Sequence, residues 1–293
     1  MRSGASGSRR CAPVRSLPRV LRELAYAKLN LVLHVGRPRE DGMHPICSLM
    51  ASIELADELT ATPRDSGSDT VICPDVPGHN LAARALADFR SRAGGQLPPL
   101  ELTIDKRIPV AAGLGGGSAD AAAALRLANE LAGGALSAQE LLRLAADLGS
   151  DVPSQLDPRH ALVQGVGEQV ESVELPSLTA VLVAATEGLS TATVYAEFDR
   201  IGGARDKLDP EPLRELAAAP AAQLAAGLEN DLQAAALSLR PDLAATLERL
   251  RSEGALGAAV SGSGPTCFGL FDDPAAAESA TASIQGALVS RLR

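Results

Sequence analysis

The sequence predicts a mixed α/β chain (α+β in its connectivity) in two halves, and three observations carry that reading. Strand-like alternation and helical periodicity succeed one another from about residue 27 to about residue 170. A strand, a glycine-rich loop and an alanine-rich helix follow directly on one another over residues 100–131. From about residue 190 the chain turns helix-rich, interrupted by one strand–turn–strand segment at 257–271. No internal repeat or low-complexity linker separates the halves, and the break is placed near residues 170–180.

Residues 27–36 read as a strand. Leu29, Leu31, Leu33 and Val35 alternate onto one face, which leaves Lys28, Asn30, Val32 and His34 on the other. A Lys and an Asn two apart on a non-core face either share a pocket or line a solvated sheet. Residues 38–44 are turn-rich, a loop that brings His44 back near this strand. Strand character returns at 49–59 and 70–73. Residues 80–92 read as a helix with Leu81, Ala85, Leu86 and Phe89 on one face. Residues 100–105 alternate cleanly and lead through Lys106 and Arg107 into the glycine loop. The helix after that loop ends at Gly133 and Gly134. A capping box, Ser137 with Glu140, opens the next helix, and Gly149 ends it. Asp151 follows at once, as a turn former or a positioned acid. Strands are expected at 160–164 and 179–185. Helices are expected at roughly 192–200, 210–219, 221–239, 241–253 and 274–290, with Pro220 and Pro241 separating neighbours.

The stretch Pro109-Val-Ala-Ala-Gly-Leu-Gly-Gly-Gly-Ser118 carries the chemistry. Gly113, Gly115, Gly116 and Gly117 allow positive φ and close backbone approach, so the loop can turn its N–H groups inward as an anion nest. The helix start behind it adds unpaired N–H groups and a partial positive charge. Strand, glycine loop and helix make a phosphate cradle. It is not a P-loop, because Gly117 is followed by Ser118 and Ala119 and not by Lys. Nor is it a dinucleotide fingerprint, because Ser118 stands where the third glycine belongs.

Composition narrows the remaining choices. With 46% hydrophobic and 22% charged residues the chain is an ordinary soluble protein, and 2% aromatics with no Trp leave Ala, Leu and Val to build its cores. A net charge of −9 argues against nucleic acid as a partner, and no apolar run approaches the roughly 20 residues of a membrane span. Cys11, Cys47, Cys73 and Cys267 show no metal-site spacing and read as reduced thiols of a cytoplasmic protein. Residues 1–22 hold several Arg and Ser and no acid, as transit peptides do. The excess of Arg over Lys and the abundance of Ala favour a disordered extension instead.

The Pro-x-x-x-Gly-Leu-Gly-Gly-Gly-Ser loop resembles the ATP-binding motif of the GHMP kinases. The motifs Ala27-Lys-Leu-Asn-Leu31, Asp41-Gly-Met-His44 and Gly149-Ser-Asp-Val-Pro153 are similar in particular to those of the diphosphocytidyl-methylerythritol kinases. The likeness runs from about residue 27 to residue 271, taking in Gly165-Val-Gly-Glu168, Glu229-Asn-Asp-Leu232 and Ser261-Gly-Ser-Gly-Pro265. It implies the two-lobed GHMP kinase fold with an active-site cleft between lobes at 23–172 and 173–293. It also implies transfer of the ATP γ-phosphoryl to the tertiary 2-hydroxyl of a cytidine diphosphate ester of methylerythritol, in the non-mevalonate isoprenoid pathway. By the same resemblance Asp151 is the catalytic base and Lys28 the catalytic cation that stabilises charge. Asn80, Leu81 and Lys106 would lie near the nucleotide, with Pro109, Gly113, Gly115, Gly116, Gly117 and Ser118 around its phosphates. Mg²⁺ would accompany ATP, with Ser118 as its contact. Asn30 and His44 would hydrogen-bond the cytosine, while Tyr195, after Thr191, would stack on it.

Three departures bear on the substrate. Met43 stands where the family has an aromatic residue, and its polarisable sulfur can still pack on a base. Ala25 and Tyr26 replace Pro-Ala ahead of Lys28, and residues 154–159 are more polar than usual. The alternatives are a GHMP-type kinase for a related alcohol and a non-catalytic nucleotide-binding homologue. Retention of both Lys28 and Asp151 weighs against the latter. The chain is expected as a monomer or homodimer.

Overall fold

The computed structural model describes residues 19–293 except 75, 77–79, 95, 96 and 186. The elements in chain order are β1 (Leu21–Val35), β2 (Ile46–Pro63), β3 (Thr70–Ile72), α1 (Leu81–Ala93), β4 (Leu100–Asp105), α2 (Gly116–Leu131), α3 (Ala138–Leu148), α4 (Val152–Gln155), β5 (Ala161–Gly165) and β6 (Gln169–Ser172). There follow β7 (Thr179–Val183), α5 (Thr191–Ile201), α6 (Glu211–Ala217), α7 (Ala221–Ala226), β8 (Glu229–Asn230), α8 (Gln233–Leu239), α9 (Asp242–Ser252), β9 (Gly257–Val260), β10 (Cys267–Phe271), α10 (Pro274–Ser283) and β11 (Ala287–Arg291).

A seven-stranded sheet runs β3-β4-β2-β1-β8, with β5 on β2 and β6 on β5. Its long strand β2 serves three partners: β1 along most of its length, β5 along Ile46–Met50 and β4 along Glu58–Pro63. Helices α1, α2 and α3 cover this sheet through a core of Leu86, Phe89, Leu102, Leu125 and Leu144. Ala121 to Leu125 are all buried, so α2 is enclosed on every side, and alanine lets its neighbours approach closely. The second sheet is four-stranded and antiparallel, β11-β7-β10-β9. Leu29, Leu31, Ile53, Leu182, Phe268 and Leu270 join the two sheets in a shared core. Strand β8 comes from the second half of the chain yet pairs in parallel with β1, so the halves are laced together. No helix among the described residues is long and apolar enough to cross a membrane.

Strand β1 departs from simple alternation. Asn30 pairs with Met50 and Val32 with Leu49, so Leu31 is an extra residue with no partner opposite. A one-residue bulge reverses which face each later side chain takes. Lys28, Asn30 and Leu33 therefore line one cleft, while Val32 joins Leu29 and Leu31 in the inter-sheet core. The expectation that Leu33 and Val35 share a face with Leu29 fails for this reason. They pack instead with Val194, Phe198 and Leu232.

Other boundaries shift as well. β1 begins at Leu21, so residues 21 and 22 lie in a strand and not in the extension, whose residues 1–18 are outside the described set along with Cys11. The helix expected over 221–239 is broken by Gly227 and β8, because Asn230 is drawn into the interior. The helix expected over 274–290 stops at Ser283. Gly286, at φ +76°, turns the chain so that β11 can pair with β7. The capping box at α3 forms as the sequence indicates: Ser137 Oγ accepts from Glu140 N, and Glu140 Oε2 accepts from Ser137 N. Ser137→Ala should cost about 1 kcal/mol of stability, read as a lower urea midpoint at unchanged m-value.

Candidate active site

A cleft of ≈ 920 Å³ lies where β1, the glycine loop, α2, the Asp151 turn and α5 meet. Every site residue singled out from the sequence lines it, from Asn80 and Leu81 at one end to Met43, His44 and Tyr195 at the other. At its centre is the Lys28 side chain, 5% exposed. Its Nζ donates to Asn30 Oδ1 at 2.5 Å and lies 3.6 Å from Asp151 Oδ2. At that separation the gross attraction is about 5 kcal/mol with an effective dielectric of about 20. Desolvating the two charges costs several kcal/mol. The pair therefore comes out close to neutral for stability.

Two glycine loops hold the ammonium in place. Lys28 N donates to Leu114 O at 3.0 Å, which fastens the first loop to β1. A Cβ on Gly115 would come within 3.0 Å of Lys28 Cγ, and one on Gly262 would lie 3.2 Å from Lys28 Nζ and 3.1 Å from Asn30 Oδ1. The loops also lock to each other. Ser261 Oγ donates to Gly113 O at 3.0 Å, and a Cβ on Gly113, at φ +75°, would strike Ser261 O at 2.4 Å. Asn230 braces the second loop by donating to Val260 O and Gly262 O, each at 2.8 Å. Helix α2 opens at Gly116 behind a left-handed Gly115 that gives no side-chain cap. Its first-turn N–H groups thus have no intrahelical acceptor, and they belong to residues lining the cleft.

Asp151 sits at the N-cap position of α4, one residue after Ser150. A Cβ on Gly167, at φ +113°, would lie 2.0 Å from Ser150 O, so only glycine lets the 165–168 turn brace this backbone. Glu168 Oε2 closes that turn by accepting from Val166 N at 2.7 Å. Asn30 is largely committed to the protein: besides accepting from Lys28, it donates through Nδ2 to Ser48 Oγ at 2.8 Å. Both bonds hold its side chain against Lys28 and β2.

Lys106 is tied to two acids that the sequence reading did not single out. Its Nζ bonds Asp57 Oδ2 and lies 2.8 Å from Asp120 Oδ2. Asp57 Oδ1 accepts from the backbone of Arg107 and Ile108. Asp120, 3% exposed, keeps Oδ1 unpaired among the described residues and lines the cleft. Burial, with Asp57 nearby, pushes its carboxyl up from 3.8 to about 7 in spite of Lys106. Burial pulls the Lys106 ammonium down, but Asp120 and Asp57 more than reverse that and hold it above its ordinary value. An acid inside the alanine run of α2 was the available signal for Asp120, and one inside an apolar strand the signal for Asp57.

At the far end His44 Nδ1 donates to Gly36 O at 2.8 Å, and its ring lies 5.1 Å from that of Tyr195. Burial, then the charge of Asp151, pushes the Tyr195 phenol up to about 12, so it stays neutral. Thr191 Oγ1 meets Ser263 Oγ at 3.0 Å and ties the start of α5 to the second glycine loop. Met43 lines this end with its side chain exposed. Asp199, also missed in the sequence, completes it, with Oδ1 3.4 Å from His44 Nε2.

The Asp120 site has a consequence for stability. The folded chain holds its proton more tightly than the unfolded chain, so this group's contribution is complete below about pH 4 and is lost as pH rises through about 7. Thermal melts of Asp120→Asn against wild type across pH 4–8 should show a flatter profile for the variant.

Comparison with known proteins places the chain. Residues 80–157 match the GHMP kinases N terminal domain and residues 204–289 the GHMP kinases C terminal domain. The 4-diphosphocytidyl-2-C-methyl-D-erythritol kinase of Streptomyces avermitilis is 46% identical over 277 residues, covering 90% of this chain and 91% of that one. The protein of the same name from Nocardia farcinica is 43% identical, covering 91% and 90%. A crystal structure of 4-(cytidine 5'-diphospho)-2C-methyl-D-erythritol kinase superposes with a TM-score of 0.77 at 34% identity, covering 92% of this chain and 98% of that one. The mevalonate kinase of L. major shares the fold, with a TM-score of 0.66 at 14% identity over 95% and 98% of the two chains. The chain belongs to the GHMP kinases and, within them, to the 4-diphosphocytidyl-2-C-methyl-D-erythritol kinase family.

Proposed function

We propose that this protein transfers the γ-phosphoryl group of ATP to the 2-hydroxyl of 4-diphosphocytidyl-2-C-methyl-D-erythritol, the compound its relatives are named for, as a step of the non-mevalonate isoprenoid pathway. The observation that carries the reading is the Lys28–Asp151 pair. It stands in one cleft with a helix N-terminus suited to phosphate and with the rings of His44 and Tyr195. Asp151 accepts the hydroxyl proton as the new P–O bond forms, and Lys28 offsets charge that accumulates during transfer. Such a reaction needs mainly positioning and charge stabilisation, which fits a site with so few reactive side chains. ATP binds with its phosphates on the first turn of α2 and its base toward Asn80 and Leu81. The lobes divide near residue 172, where β6 ends.

Mg²⁺ supplies charge neutralisation on phosphate oxygens when bound. No group of three or more His, Cys, Asp or Glu among the described residues is placed to hold a metal. Ser118, on the first turn of α2, lines the cleft and is the residue that would hold it beside the phosphates.

Two variants test the assignment. Asp151→Asn should lower turnover of Mg·ATP with 4-diphosphocytidyl-2-C-methyl-D-erythritol by at least ~100-fold while ATP still binds. Near-normal ADP release would remove Asp151 as the base. Gly117 lines the cleft, and a Cβ there would meet no protein atom within 4 Å. Gly117→Ala should therefore weaken ATP at least ~10-fold without lowering the melting temperature, since alanine is the better helix former.

A further inference from the structure

We infer that Asp57 is a positioning residue of the phosphate cradle, acting from inside the large sheet through Lys106 and Ile108 on the first turn of α2. The inference rests on the functional reading above for the presence of phosphates at that turn, and adds a residue that lies outside the cleft.

Asp57 is fully buried on β2 and is not among the residues that line the cleft. The ladder between β2 and β4 ends with Glu58 opposite Asp105, and the chain then leaves the sheet toward the glycine loop. Backbone N–H groups released from a ladder in the interior need new acceptors. Asp57 Oδ1 is that acceptor, for Arg107 N at 2.6 Å and Ile108 N at 2.8 Å. Its other oxygen, Oδ2, accepts from Lys106 Nζ. One carboxylate thus fixes three consecutive residues.

Helix α2 sits on two of them. It has no side-chain cap to locate its start. A Cβ on Gly116, its first residue, would come 3.0 Å from Ile108 Cγ2 and 3.3 Å from Lys106 Nζ. The turn is therefore seated directly on residues that Asp57 holds. Gly116 and Gly117 line the cleft, so a shift of this seat displaces the N–H groups offered to phosphate. A misplacement of about 1 Å in such a site can cost on the order of 100-fold.

Asp57→Asn separates two roles for the carboxylate. Two backbone donors face Oδ1, so the amide oxygen keeps that place and the amide nitrogen turns toward Lys106. Donor then faces donor, and the ammonium is left with Asp120 alone. If Asp57 positions the turn, phosphate binding weakens. If Asp57 merely withholds the charge of Lys106 from the phosphates, its removal frees that charge and phosphate binding tightens. The two roles differ in sign.

The test is calorimetric titration of a non-hydrolysable ATP analogue, and separately of adenosine, into the full chain. Asp57→Asn should weaken the analogue at least ~10-fold and leave adenosine, which lacks phosphates, as in wild type. An analogue bound equally or more tightly by the variant would overturn the inference while leaving the functional reading intact. An equal loss for adenosine would mark a general structural role and overturn it too. Gly116→Ala presses on the same seat from the other side and carries the test should Asp57→Asn fail to fold. It should weaken the analogue selectively, and wild-type affinity there would count against the seat in the same way. In the double variant the two losses should fall short of additive, and full additivity would deny the shared contact. Failure of wild type to bind the analogue would overturn the functional reading, and the inference with it.

Discussion

The cleft depends on one buried ammonium. Lys28 lies on a central strand, between the core of the large sheet and the second half of the chain, and is almost wholly removed from water. A charge so placed must be paired, because an isolated one costs several kcal/mol or more. Its partners come from two places, Asn30 on the same strand and Asp151 after α3, and the glycine loops pack against its side chain. At Gly115 and Gly262 the ammonium and its stem fill the space that a side chain would take. Burying Lys28 thus draws parts of the chain more than 200 residues apart against one another.

Charge is distributed along the cleft in a way that suits two different ligand ends. The chain is net acidic, so positive potential must be local, and helix α2 supplies it through its N-terminus. Lys106 sits beneath that turn but is already matched by Asp57 and Asp120, two carboxylates for one ammonium. Burial, with Asp57 adding to it, pushes the Asp120 carboxyl up to about 7 in spite of Lys106. At the opposite end His44 and Asp199 face each other beside an aromatic ring.

Much of this was legible before any coordinates. The glycine loop, its helix and the capping box of α3 are local features, where neighbouring residues decide the outcome. They appear where the sequence puts them. The errors lie where distant contacts overrule local preference. Alternation along β1 breaks at Leu31 because β2 offers no residue opposite it. The long helix expected over 221–239 yields to Asn230, which gains more from tying down the second glycine loop than helix propensity could return. Residues 287–290 read as the end of a helix until β7 is there to pair with them. Asp57 and Asp120 escaped notice because an acid in an apolar run has no sequence mark of its partner.

By itself, then, the sequence determined the α/β character and the order of strand, glycine loop and helix, since each rests on residue type and short spacing, while Lys28 and Asp151 stood out only through the family resemblance. Tertiary structure alone decided which face of β1 meets the cleft, how the two glycine loops interlock, and that Lys106 is bound by two buried acids. It alone brought Asp199 against His44 across 155 residues of chain. The physical reason is common to all four. Hydrogen bonds and ion pairs in the interior are set by what remains unpaired once the sheets have packed, and no local pattern records that remainder.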